Sequence, residues 1–109
     1  MSASPTAPVF HILLALADQS LHGLGIAERV LAMTEGSLDL GPGTLYRSLK
    51  EMAERGLIRE VAAPDAQADP RRRYYALTAQ GRRLAVTEAE RLERIVGVAR
   101  ERRLLPRRA

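Results

Sequence analysis

The stretch from Leu40 to Leu57, LGPGTLYRSLKEMAERGL, constrains the fold most, because its punctuation fixes a short helix at both ends. Gly41 can serve as N-cap, Pro42 suits the first helical position because its missing N–H would have no partner there, and Gly56 closes the segment. A helix is predicted from Pro42 to Arg55. Leu45, Leu49, Met52 and Ala53 gather on one side at about 100° per residue, and that side must face a core. Gly43, Thr44, Arg47, Lys50, Glu51 and Glu54 look outward, with Tyr46 on the boundary. A helix with Thr, Arg and Lys near its N-terminus, where the dipole also favours an anion, can lie in a DNA major groove.

Upstream, residues 1–8 hold Ser, Thr, Ala and two prolines, a composition expected to form a flexible N-terminus without function. Val9, Phe10, Leu13, Leu14 and Ala17 then repeat at helical spacing and predict a mostly buried first helix. His11 falls on its polar side. No Cys, second His or carboxylate sits at chelating spacing, so a surface or hydrogen-bonded histidine is expected and no metal. Leu21, His22 and Gly23 turn into a second helix of about Gly23 to Thr34, burying Ile26, Ala27, Val30 and Leu31. The Gly23–Gly25 and Gly41–Gly43 pairs lack the context of a dinucleotide fingerprint, and neither supports a nucleotide site. Leu38 to Leu40 is expected to be a short extended piece.

Downstream, Leu57 to Val61 alternates with period two and reads as a strand, and a second strand is expected from Arg72 to Leu77. Between them Pro64 and Pro70 bracket Asp65 and Asp69 in a hairpin tip. Tyr75 and Leu77 share a strand face expected in the core. Tyr74 points the other way, either reaching a phosphate or covering the sheet. Helix, turn, helix and hairpin make a winged helix-turn-helix, mainly α with a small β-hairpin wing, over residues 9–78. Residues 79–109 follow as a C-terminal helix and basic tail.

Thr78 is the N-cap expected for that last helix, which no proline interrupts until beyond Leu104. At about 1.5 Å per residue it would run near 40 Å, too long to pack wholly on so small a domain. Ala85, Ala89, Leu92, Val96 and Ala99 recur in a heptad seam flanked by Ile95, which a second copy of the helix would cover. The alternative is a seam folded back on helix one, as is expected in part near Leu84 and Val86.

GPGTLYRSLKEMAERGLIRE resembles the recognition-helix block of the PadR family of transcriptional regulators, commonly written SPGTLYPALHRLEREGLI. LHGLGIAERV at residues 21–30 resembles that family's second helix, and DPRRRYYALTAQG at 69–81 its returning wing strand and the start of its last helix. Together the blocks cover roughly residues 9–100. Gly41 departs from the usual Ser, and Arg47 stands where the family usually has a second Pro. The resemblance implies a DNA-binding regulator with a dimerisation helix, a repressor more readily than an activator. Some members hold aromatic or drug-like molecules at the dimer centre against a tryptophan of the last helix. This chain has no tryptophan. The resemblance thus carries the fold and DNA binding rather than that pocket, and any small-molecule effector is left unassigned.

Charge agrees with a polyanionic partner. Residues 1–56 carry four basic and six acidic side chains, and residues 57–109 carry thirteen and seven, so the base lies in the second half. Nearly all of it is Arg, whose planar fork suits phosphate, although composition bias and solvated helix faces would give the same count. At 109 residues the chain fits one domain. It has no cysteine, no apolar run of transmembrane length and no leader-like N-terminus, so a cytoplasmic protein off the membrane is expected.

The expectation is a homodimer on a roughly palindromic duplex operator, without cofactor. Thr44, Arg47 and Lys50 would reach base edges or nearby phosphates, and Tyr46 the backbone. Arg71, Arg72, Arg73 and Tyr74 would bring the wing to DNA, while Ala85, Ala89, Leu92, Ile95, Val96 and Ala99 would form the dimer seam. The rival reading is a winged-helix module that binds another protein, with its arginines as solvated surface. No nucleophile elbow, HExxH or isolated carboxylate pair supports an enzyme.

Overall fold

The computed structural model describes residues 4–65 and 69–106. Its first helix, α1 (Ala7–Ala15), starts two residues earlier than expected. Thr6 caps it by accepting from the Val9 N–H, and Pro8 sits in the first turn, where a proline leaves no helical hydrogen bond unmade. Of the expected buried face, Val9, Phe10 and Leu13 are buried and two positions are not. Ile12, Leu13 and Ala15 are fully buried and Leu16 nearly so, while Leu14 is 37% exposed and Ala17 half-buried. Because α1 packs against α2, α3 and α4, most of its circumference is core and the one-sided pattern is lost. His11 Nδ1 donates to the Ala7 carbonyl at 2.7 Å.

β1 (Leu21–His22) leads directly into α2 (Gly23–Met33). α2 buries Ile26 and Val30 and half-buries Ala27, but Leu31, expected inside, is exposed. The turn to the next helix is closed by the Gly36 N–H donating to Leu31 O at 2.8 Å, with Gly36 at φ +83°. Leu38 to Leu40 has no regular structure.

α3 (Pro42–Glu54) keeps its expected start, with Gly41 extended at the cap. Leu45, Leu49 and Met52 enter the core; Ala53, expected with them, is exposed, and Ser48 is buried in its stead. Gly56 at φ +74° ends the helix, and the Leu57 N–H turns back to Met52 O at 2.9 Å. This is the closure that glycine's left-handed conformation permits.

β2 (Ile58–Val61) and β3 (Tyr74–Leu77) form the wing, and β1 pairs with the far edge of β3, giving an antiparallel sheet in the order β1-β3-β2. The hairpin expected from sequence is therefore a three-stranded sheet, with Leu21 opposite Tyr75 and His22 opposite Tyr74. Tyr75 and Leu77 pack against the core as expected. Part of the expected hairpin tip, residues 66–68, lies outside the described residues, as do residues 1–3 and 107–109.

α4 (Ala79–Glu101) spans 23 residues, about 35 Å at 1.5 Å each. Thr78 caps it through the Gly81 N–H at 3.0 Å and also donates to Gly56 O at 2.6 Å. Gly81 is buried against the Leu57 carbonyl, where a Cβ would collide with backbone. Leu84 and Ala85 pack against the core, but Val86, expected to fold back with them, is 50% exposed. Among the described residues no helix is long and apolar enough to cross a membrane.

Candidate nucleic-acid interface

The outward face of α3 is set by the burial of Leu45, Leu49 and Met52. Opposite them Gly43, Tyr46, Arg47 and Lys50 are exposed and Thr44 is half-buried. Among the described residues neither Arg47 nor Lys50 has an ion-pair partner, so both cationic heads are available to a ligand. The acidic residues Glu51 and Glu54 occupy the later turns, away from the N-terminal half that would enter a groove.

Tyr46 links this face to the rest of the domain. Its ring lies over Gly23 so closely that a Cβ there would stand 3.0 Å from the phenol oxygen. Gly23 thus lets the start of α2 meet the outer side of α3. A cleft of about 380 Å³ opens beside this contact, lined by His22, Tyr46, Arg71, Arg72, Arg73 and Tyr75 among others. Side chains expected at DNA from the recognition helix and from the wing therefore share one surface.

The three wing arginines differ in their partners. Arg71 is held by Asp69, with Nε to Oδ1 and Nη2 to Oδ2 both at 3.2 Å, and this pairing holds the Asp69 carboxyl below its usual range. Arg72 Nη1 lies 2.7 Å from His22 Nε2. Burial and the Glu60 carboxylate push the Tyr75 phenol upward. Tyr74 departs from the expectation of DNA contact. It is 9% exposed, its ring meeting His22 edge-on at 5.4 Å, so it covers the sheet. His22 and Tyr75 line the cleft but were not among the expected site residues: a His before a helix-opening Gly signals a cap, and nothing in the sequence shows that β1 carries it to the wing.

The expected dimer seam is partly open in the single chain. Ala85 is taken up by the chain's own core, while Ala89 and Ile95 are exposed and Leu92, Val96 and Ala99 half-buried. Near the middle of α4, Glu88 is buried and accepts two hydrogen bonds from Arg91, both 2.8 Å, which hold its carboxyl below the usual range. No cluster of metal-ligating side chains occurs among the described residues.

Known proteins agree with this geometry. Over 86 residues the chain is 34% identical to an uncharacterized 37.1 kDa protein in transposon TN4556 of Streptomyces fradiae, covering 79% of this chain and 23% of that protein. It thus spans about a quarter of that relative's length. The fold superposes on a PadR family transcription regulator from hypervirulent Clostridium difficile R20291 with a TM-score of 0.72 at 28% identity, covering 88% of this chain and 97% of that one. The PcaV transcriptional regulator from Streptomyces coelicolor matches with a TM-score of 0.70 at 28% identity, covering 89% of this chain and 62% of that one. The model of the transcriptional regulator PadR-like family matches residues 12–86, and the chain belongs to that family.

Proposed function

We propose that this protein is a repressor that binds a roughly palindromic duplex operator as a homodimer, with one α3 helix in each of two successive major grooves. Membership of a family of transcriptional regulators supports DNA binding. The observation that carries the reading is the shared surface of Tyr46 with Arg71, Arg72 and Arg73, beside Arg47 and Lys50 of the same helix, which have no ion-pair partner among the described residues. Thr44, Arg47 and Lys50 take base edges or adjacent phosphates, and the wing arginines take the backbone. Leu92, Ile95, Val96 and Ala99, with Ala89 beside them, hold the second copy at the spacing that two half-sites require.

Selection of bound fragments from the source genome at fixed salt tests this. The expected result is recovery of fragments sharing an inverted repeat, with affinity falling steeply with salt, by about 0.9 in logarithmic slope per phosphate contact. Salt-independent association, or fragments with no common sequence, would contradict it.

A further inference from the structure

The cleft between the start of α2, Tyr46 and the wing is rich in hydrogen-bond donors. His22 Nδ1 accepts from the Gly25 N–H at 3.1 Å, which uses the imidazole's one free lone pair to cap α2. With Nδ1 as the acceptor, the ring carries its hydrogen on Nε2. Yet its neighbour at 2.7 Å is Nη1 of Arg72, and a guanidinium has no acceptor at all. Two N–H groups thus converge on one point. The Tyr75 phenol, which pairs with Arg73, and the Tyr46 phenol add two hydroxyls that can donate. Arg71 is spent on Asp69, whereas neither Arg72 nor Arg73 has a carboxylate partner among the described residues. Among the described residues no acidic side chain lines the cleft.

We propose that this cleft is the seat of one phosphodiester of the DNA backbone in each half-site, with an oxyanion oxygen accepting from both His22 Nε2–H and Arg72. The inference rests on the DNA-binding reading and adds to it a particular phosphate and a residue, His22, outside both the recognition helix and the wing. The oxygen separates the two facing donors, and Arg73, Tyr75 and Tyr46 surround the remaining oxygens. Charge-assisted hydrogen bonds of this kind are about twice as strong as neutral ones. Because α3 and the wing both border the cleft, the phosphate it holds lies between the groove that α3 enters and the wing's own contact. Seating it fixes the recognition helix in register on the duplex.

Two measurements on the full chain test this, and the first needs no DNA. Labelled protein is titrated with inorganic phosphate at constant ionic strength while the His22 ring and Arg72 guanidinium resonances are followed. Saturable shifts confined to the cleft are expected, and their loss in Arg72→Gln and in His22→Asn, where the Asn amide oxygen still caps α2 without an Nε2–H. In the second, methylphosphonates replace phosphates one at a time along a selected duplex. Wild-type protein should lose about tenfold or more at one position per half-site, and Arg72→Gln should lose nothing further there. Absence of phosphate-dependent shifts at His22 overturns the proposal. Shifts without any duplex position coupled to Arg72 overturn the backbone assignment and leave a site for a free phosphate group. Protein that shows the shifts but binds no duplex refutes the DNA-binding reading itself.

Discussion

The Thr78 hydroxyl donates to the Gly56 carbonyl at 2.6 Å while accepting from the Gly81 N–H at 3.0 Å, so one side chain joins the end of α3 to the start of α4. Thr78→Ala removes both the cap and this tie. A loss of about 1–2 kcal/mol is expected, lowering Tm by roughly 4–8 °C for a domain of this size. An unchanged melting curve would show that the tie contributes nothing.

Gly81 and the Leu57 carbonyl meet where no Cβ fits. Gly81→Ala must move backbone, so it should destabilise despite alanine's better helix propensity, by more than the roughly 1 kcal/mol that propensity alone would return. Gly97, with open space around its Cα in the single chain, provides the contrast. If Gly81→Ala melted at or above the wild-type temperature, the close contact between α4 and Leu57 would be refuted.

On α3, Arg47→Ala should cost about 1–3 kcal/mol on the selected operator and less on random duplex. Equal losses would reduce Arg47 to a phosphate contact. Asp69→Asn acts in the opposite sense, releasing Arg71 from its carboxylate, so affinity for all duplexes should rise and the salt slope steepen. A slope that stays unchanged would place Arg71 outside the interface.

Asp18 is held below its usual range by its hydrogen bond to Arg29, Asp69 by Arg71 and Glu88 by Arg91. Each carboxylate is thus more acidic folded than unfolded. Its stabilising contribution is complete above the unfolded value, about pH 4, and is lost as pH falls through the folded one. Melting temperature should accordingly be flat from about pH 5 to 7 and drop below about pH 4. The drop should be smaller in Asp18→Asn, already deprived of one such carboxylate. An acid limb identical to wild type would exclude Asp18.

The sequence revealed the elements whose ends carry local chemistry. Pro42 and Gly56 mark α3, and Thr78 marks α4, because a fixed φ, a left-handed φ and a side-chain acceptor act within one turn of the residue that supplies them. Burial on α1 was legible at Val9, Phe10 and Leu13 but not at Leu14 and Ala17, since a helix packed against three others has too narrow a polar stripe to set its phase. β1 is two residues long, too short for any alternation, and without it neither the site of His22 nor the covering of Tyr74 could be placed. Of the interface, the α3 face was readable from the positions of its core residues. The cleft was not, because it joins residues 22, 46, 71–73 and 75, which are far apart in the chain.

Dimerisation through α4 carries the proposed mechanism, because a single winged helix contacts one half-site. Leu92→Asp with Val96→Asp places two charges on half-buried positions of α4. Sedimentation and gel shift on the same samples test the claim. The wild-type chain should sediment as a dimer and retain the operator in the presence of competing random duplex. The double variant should be a folded monomer with only salt-sensitive, non-specific binding. A monomeric wild-type chain, or a monomeric variant that still holds the operator as tightly, would contradict the account.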